Sequence, residues 1–474
     1  MAPKIIQGGM GVNISPPHLA RTVAMLGGLG TVSGVAANLL LPRALQDGDP
    51  GGHLRRALEH FPFPDIAEDV LREYFVPGGR SPLEPYHKTI PAVTLTPTRM
   101  AIALAICANY AFVWLAKEGH DNPISINWLE KMQLVHLYGL YGAMLAGVNF
   151  VAMGAGIPDQ IPAMINAYGD GHAAEYRVTV TGCAEGTKMM RFDPAEYFGR
   201  PVPKLQRPSF LPIVSSDVLA GILMKLMKKK KLPDAIQGFV VEVPTAGGHN
   251  APPRGQYATN DLGEPIYGPR DAPDFIKLQA LGVPFWIGGS FASPAGLSTA
   301  LSLGASGIQV GSIFALCEDS GLAPMYRRET IRRWHRGQLQ VKTDAQASPT
   351  GFPFKVAQLP GTLSEEEIYR LRHRICNQHG LATPHQLPNG DIVYRCPAEP
   401  TRIYRRNGGQ IEDTVAARCL CNGLMAAAGV GDPLEPAIVT LGDDLNFLRY
   451  LTTNENDSYS AAQAMAYLLA IDET

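Results

Sequence analysis

The sequence predicts an α/β chain folded as a (β/α)8 TIM barrel, with an insertion after strand 2 and a long, mainly helical C-terminal extension. Three observations predict it. Eight short apolar runs, too evenly apolar to keep one face wet, alternate with helical patterns. Several of the runs end in Gly or Ser, which suits a sharp turn from a strand into a helix. The last two runs carry glycines where such a barrel holds a phosphate. A doubly wound open sheet also alternates strands with helices, and is the competing arrangement.

The runs are KIIQGGMGV (4–12), GLGTVSGV (28–35), PISIN (123–127), GVNFVAMG (147–154), FLPIVSS (210–216), GFVVEVP (238–244), VPFWIGG (283–289) and SGIQVGSIF (306–314). Helical patterns separate most of them. One spans Asp217 to Lys230, opened by Ser216 or Asp217 as N-cap. Residues 42–90 read as a Pro-rich, charged insertion between the second and third runs. Residues 1–320 thus form the expected barrel. Residues 321–474 are far longer than one closing helix, and read as a cap or side domain that ends in a helix over 457–470.

The 474 residues are 46% hydrophobic and 18% charged, which supports a large core and excludes a disordered chain. A formal net charge of −2 gives no electrostatic reason for nucleic acid or an anionic membrane as partner. The basic run Lys228 to Lys231 reads as a solvated helix end, where cations suit the dipole. MAPKIIQGGM enters a strand pattern without the charged and apolar regions of an export signal. No stretch reaches about 18 uninterrupted apolar residues; the nearest, Met100 to Leu115, is broken by Asn109. Seven cysteines, an odd number, fit a reducing cytoplasm. The expectation is a cytoplasmic protein that acts on a small molecule, with monomer and homo-oligomer both open.

The sixth run continues as VVEVPTAGGHNAPPRG (240–255). A β-branched strand stops at Pro244, and two glycines then carry His249 into a Pro-rich loop. Run seven ends in Gly288-Gly289-Ser290, and run eight carries Gly311-Ser312. Glycine lets backbone N–H groups come close to phosphate oxygens. A GxGxxG dinucleotide fingerprint is not evident at GGMGV or GGLGTVSG.

IIQGGMGV, GGLGTVSG, the TAGGH element, the GGS turn and GIQVGSIF together resemble the nitronate monooxygenase (2-nitropropane dioxygenase) family of FMN-dependent (β/α)8 barrels. The resemblance covers roughly residues 4–320 in order. It implies FMN with its phosphate on Gly288, Gly289, Gly311 and Ser312. It implies ring contacts around Gly9 and Met10, and from Asn127. It places Gly248 in the cofactor site and His249 beside the flavin as the catalytic residue. On residue type alone, Met10 would read as core and Asn127 as a turn residue. The implied reaction oxidises a nitronate with O2 and needs no NAD(P)H. Flavin enoyl-thioester reductases of polyketide and fatty-acid synthesis share the AGGH element, and there NAD(P)H reduces the flavin. NAD(P)H:quinone reduction and a non-catalytic flavin-binding module are further alternatives. IMP dehydrogenase-like barrels use a cysteine after strand six; none lies between Cys183 and Cys317.

Two departures stand out. Asn250-Ala-Pro-Pro253 separates His249 from Arg254-Gly255, where smaller family members run directly into Arg-Gly. The chain is also longer, in the 42–90 segment and in the tail. Cys376, Cys396, Cys419 and Cys421 lie in that tail, with His379 near the first. Their spacing is not that of a standard zinc site, and they read as buried free thiols; no metal is expected.

Overall fold

The computed structural model describes residues 2–81 and 84–470. Eight parallel strands form one sheet in the order β1-β10-β9-β8-β7-β4-β3-β2. They are β1 (Ile5–Gln7), β2 (Gly30–Ser33), β3 (Ile124–Leu129), β4 (Phe150–Gly154), β7 (Ser209–Val214), β8 (Phe239–Glu242), β9 (Phe285–Gly288) and β10 (Gly307–Val310). The sheet closes on itself: Ile6 bridges Leu29 in parallel, and Gln7 N–H donates to Leu29 O at 3.0 Å. The (β/α)8 barrel is therefore what the chain forms, and each of the eight apolar runs overlaps one of its strands, with β3 running two residues past its run and β7 starting one residue before its own.

The evenly apolar runs follow from the two faces of each strand. Ile6, Leu29, Leu211, Val240 and Trp286 pack together as one buried group inside the barrel. Their neighbours Ile5, Val241, Ile287 and Ile308 belong to the larger core shared with the helices. Alternate residues point to opposite faces, so both sets must be apolar.

Helix α1 (Pro17–Met25) packs on β2 so closely that a Cβ on Gly30 would overlap the Ala20 carbonyl oxygen. After β2 come α2 (Ala37–Gln46), α3 (His53–Glu59) and α4 (Pro64–Tyr74), so the segment marked as an insertion is largely helical and begins inside α2. Residues 82 and 83 of that segment, and 471–474 of the tail, lie outside the described residues.

Helix α5 (Arg99–Lys117) is long and apolar enough to cross a membrane by length and composition. In the fold it packs against α1, α2, α3, α4 and α6 (His136–Leu145), and 72% of its most apolar window is buried. Its polar break is used: Asn109 Nδ2 donates to Ala105 O at 2.8 Å, and Trp128 Nε1 donates to Asn109 Oδ1 at 3.2 Å.

Between β4 and β7 lie α7 (Ile161–Gly169), an antiparallel hairpin of β5 (Ala174–Thr179) and β6 (Thr187–Phe192), and α8 (Pro194–Phe198). The hairpin was not expected, although AEYRVT alternates buried and exposed residues with period two. Helix α9 (Asp217–Lys229) is capped by Ser216, whose side chain accepts from Leu219 N. The helices α10 (Phe275–Gln279), α11 (Pro294–Ser302) and α12 (Ser312–Ala315) follow in turn.

The tail holds more than helices. To α13 (Pro324–His335), α14 (Glu366–Leu371), α15 (Thr401–Arg406), α16 (Leu420–Ala427), α17 (Leu448–Leu451) and α18 (Ala461–Leu468) it adds two hairpins, β11 (Val341–Asp344) with β12 (Phe354–Ala357), and β13 (Thr383–Gln386) with β14 (Ile392–Arg395). It shares the barrel's core through Met425, Val439, Leu441 and Leu448. Helix α18 packs on α1, α11 and α12, just after Tyr459 donates its hydroxyl to Ile313 O at 2.7 Å.

Close helix packing gives a stability test. A Cβ on Gly142 of α6 would overlap Ile106 O of α5, whereas one on Gly221 of α9 meets nothing within 4 Å. Gly142→Val should lose at least about 1–3 kcal/mol in urea unfolding. Gly221→Ala should gain about 0.5–1 kcal/mol by the same measurement.

Candidate functional site

Strand β8 ends on a rung from Val243 N to Gly288 O at 2.9 Å, and a tight turn follows as Ala246 N donates to Val243 O at 3.0 Å. Gly247 lies against the tail: a Cβ there would sit 2.9 Å from Gly442 N. Gly248 has φ +80°, a conformation that side chains disfavour. The chain then pairs antiparallel with the tail at His249 and Phe354, with Asn250 N to Pro353 O and Lys355 N to Gly248 O both at 2.9 Å.

This placement fixes the imidazole. Nε2 of His249 meets Ser348 Oγ at 2.8 Å. The Phe354 ring lies edge-on at 4.8 Å and the Phe352 ring at 6.5 Å. The ring's other side opens on a cavity, which leaves the residue partly accessible although protein surrounds it. Burial lowers its pKa to about 4, so the imidazole is neutral at ordinary pH.

The cavity, about 240 Å³, sits at the C-terminal mouth of the barrel. Gly9, Met10, Asn127, Gly248, His249, Gly288, Gly289, Gly311 and Ser312 all line it. The structure thus brings every sequence-predicted residue to one place, from β1, β3, β8, β9 and β10. Asn127 Nδ2 donates to Gly9 O at 2.8 Å and holds the first loop against the third strand. Arg254 is not among the lining residues; its N–H donates to Asp271 Oδ1 at 2.7 Å, and its guanidinium faces the same carboxylate at 3.8 Å.

Several lining residues escaped the sequence reading. Glu242, the last residue of β8, accepts from Gln309 Nε2 at 3.2 Å, and burial raises its pKa to about 7. Its presence in VVEVP was visible, but not that its side chain turns into the mouth. The larger omission is the tail. Thr440, Leu441, Gly442 and Asp444 form one wall. Gly442 N donates to Ser312 Oγ at 2.8 Å, Gly248 N to Thr440 Oγ1 at 2.9 Å and Asp443 N to Thr245 O at 3.1 Å. Lys355, 3% exposed, anchors the wall through Asp443 Oδ2 and Thr343 Oγ1, each at 2.7 Å. Burial outweighs that ammonium and holds the Asp443 carboxyl above its usual range. The contacts from this wall to the barrel span 130 to 198 positions and leave no local signature.

The residues present suit a flavin phosphate. The N–H groups of Ser290, Gly311 and Ser312 find no acceptor among the described residues. Gly289, at φ +103°, has no room for a Cβ, which would lie 2.7 Å from Val243 Cγ2. Asn127 Oδ1 and Thr245 Oγ1 are buried without a partner, although both residues line the cavity. No Lys or Arg lines it, so an anion there would be held by backbone donors.

The four tail cysteines gather around a void of about 10 Å³, and Cys376 Sγ lies 3.7 Å from His379 Nδ1. All are free thiols. Among the described residues, no group of three or more His, Cys, Asp or Glu is placed to hold a metal ion.

No family model matches the chain, and no curated protein matches it. Among solved structures it is similar to FabK from Thermotoga maritima, at 16% identity and TM-score 0.48, over 99% of this chain and 92% of that one. It is similar to nitroalkane oxidase from Streptomyces ansochromogenes, at 12% identity and TM-score 0.46, over 98% and 94%. It is also similar to the enoyl reductase domain of MlnA from the macrolactin biosynthesis cluster of Bacillus amyloliquefaciens, at 11% identity and TM-score 0.48, over 99% and 94%.

Two outcomes test the site. His249 and the buried His136 both have folded pKa values lowered to about 4, against about 6.5 unfolded. Below 6.5 the unfolded chain takes up protons that the folded chain refuses, so stability falls as pH drops from 6.5 towards 4, by up to about 1.4 kcal/mol per pH unit for each histidine. His249→Gln should flatten that slope by one histidine's share, read as urea midpoints across the window. Lys355→Met should speed amide exchange at 440–444 and leave the barrel strands protected.

Proposed function

We propose that the chain is an FMN-dependent oxidoreductase that oxidises alkyl nitronates with O2. The observation that carries this reading is His249. It is a neutral imidazole, fixed through Nε2 by Ser348, on the lining of a glycine-rich cavity where the N–H groups of Ser290, Gly311 and Ser312 have no partner. FMN would take its phosphate on the N–H groups of Ser290, Gly311 and Ser312, and its ring system would lie towards Gly9, Met10 and Asn127. Once bound, it supplies the electron transfer that protein side chains cannot.

The chain's own residues bind, orient and move a proton. Ser348 Oγ accepts from Thr350 N at 3.2 Å and lies 2.7 Å from Thr350 Oγ1, to which it can donate. Its second acceptor site suits Nε2–H of His249. That tautomer leaves Nδ1 unprotonated, the nitrogen that would serve a substrate in the cavity. Because burial depresses its pKa, Nδ1 is available as a base throughout the neutral range. On taking the α-proton of a neutral nitroalkane it becomes an imidazolium beside a nitronate, and the charge pair stabilises both. A preformed nitronate needs no such transfer. Phe354 and the wall of Thr440, Leu441, Gly442 and Asp444 line the cavity and would shield the anion from water, which strengthens its hydrogen bonds.

The distinguishing variant is His249→Asn. It leaves the phosphate turns intact and should retain FMN by absorbance. Oxygen uptake with neutral nitroethane should fall by about 10²-fold or more, the usual scale for a lost general base. Uptake with preformed ethyl nitronate should fall less. Wild-type protein whose flavin is bleached rapidly by NAD(P)H without oxygen, and which consumes no O2 with nitronates, would be an enoyl-thioester or quinone reductase instead.

A further inference from the structure

Glu242 is an enclosed carboxyl that the proposed chemistry leaves unused. It is the last residue of β8 and lines the cavity together with His249. The next two strands of the barrel set its surroundings. Gly288 of β9 has no side chain to cover it: a Cβ there would lie 3.3 Å from Glu242 Cγ. Gln309 of β10 donates from Nε2 to Oε1 at 3.2 Å. Oε2 has no partner among the described residues, yet it is not sealed off as Asn127 Oδ1 and Thr245 Oγ1 are. It keeps accessible surface in the space that the residue lines.

No counter-charge accompanies this carboxyl. To the same cavity β7 contributes Ile213, β9 and its turn Gly288 to Ser290, β10 Gln309 and Val310, and β1 and its turn Gly8 to Gly11, all uncharged. The other titratable groups on the lining are His249, which burial keeps neutral, and Asp444 of the tail wall. Lys355 stands behind that wall, paired with Asp443 at 2.7 Å. Burial alone acts on Glu242 and raises its pKa to about 7. A modest change of field then decides which form prevails.

The free backbone donors lie a short way along the same two strands. Ser290 follows Gly288 by two positions and Gly311 follows Gln309 by two, about 6–7 Å at the rise of an extended chain. An anion on the N–H groups of Ser290, Gly311 and Ser312 is thus within about 10 Å of Glu242. At that range, with an effective dielectric of about 20, a negative charge makes a carboxyl hold its proton roughly tenfold more tightly. We infer that Glu242 takes up a proton as an anion enters the cavity, and that Oε2 changes from an acceptor that repels the anion into a donor. For the FMN proposed above, binding becomes a proton-coupled step, and the inference rests on that reading. One proton moves from water to Oε2, and no covalent bond of the flavin changes. Below the range near 7 where the free chain titrates, Glu242 is already neutral and takes up nothing. As pH rises through that range the proton must arrive with the anion, so affinity falls. The phosphate, with a second pKa of about 6, changes little above pH 7.

The test is calorimetric titration of the full chain, stripped of flavin, with FMN in two buffers of unlike ionisation enthalpy. At pH 7.5 the wild-type protein should take up about half a proton per FMN, as expected when a carboxyl titrating near 7 holds its proton tenfold more tightly in the complex. Its affinity for FMN should fall about fivefold between pH 7 and pH 9. Glu242→Gln has the same shape and stays neutral. It should take up no proton, lose the slope, and bind FMN at pH 9 more tightly than wild type. Loss of a merely structural carboxyl would instead weaken binding at every pH. The variant's circular dichroism spectrum should match wild type. Saturable FMN binding without proton uptake by the wild-type chain overturns the inference and leaves the flavin site standing. So does uptake that persists in Glu242→Gln. No binding of FMN at all overturns the flavin reading and this inference with it.

Discussion

The site depends on one contact between backbones. Gly247, at the end of the sixth barrel strand, lies against Leu441 and Gly442 of the tail with no space for a side chain. Around it, Gly248 N, Asp443 N and Gly442 N each donate across the seam. A side chain at position 247 would part the seam, expose these donors and open one wall of the cavity. The same seam sets His249, because Gly248 O accepts from Lys355 N and the next residue pairs with Phe354. The aromatic packing that keeps the imidazole neutral therefore rests on how closely two glycines approach.

What could be read from the sequence were the features with a short period. Each barrel strand shows as a run of apolar residues because both of its faces are covered. The turns after β9 and β10 show as glycines because their backbone must stay bare. The hairpin of β5 and β6 also shows in its alternation, which belongs to a strand wet on one face and so lies outside the evenly apolar pattern of the barrel strands. The wall from Thr440 to Asp444 was not legible. Its residues are ordinary loop types, and their purpose lies in partners such as Ser312, 130 positions away. Glu242 was legible as a residue but not as a direction, since one residue of twist decides whether a carboxyl faces the mouth or the helices.

The electrostatics of the mouth follow from the same economy of side chains. No cation lines the cavity, its one imidazole is neutral, and Glu242 is held by burial near the boundary between its charged and neutral forms. Two ammonium groups stand just outside, Lys355 on Asp443 of the wall and Lys131 against the Phe352 ring. An anion entering the cavity thus meets oriented backbone dipoles rather than a side-chain charge.

The seam also bears on the order in which a growing chain becomes competent. All eight barrel strands are complete by Val310, but the segment that closes the mouth follows about 130 residues later. At 5–20 residues per second, a ribosome takes roughly 7–26 seconds to make that stretch. During this interval the barrel has its full ring of strands, yet the future contacts of Val439 and Leu441 face solvent. A nascent chain at this stage offers an apolar rim to chaperones or to other chains. Until the wall arrives, anything held in the mouth is open to water on that side.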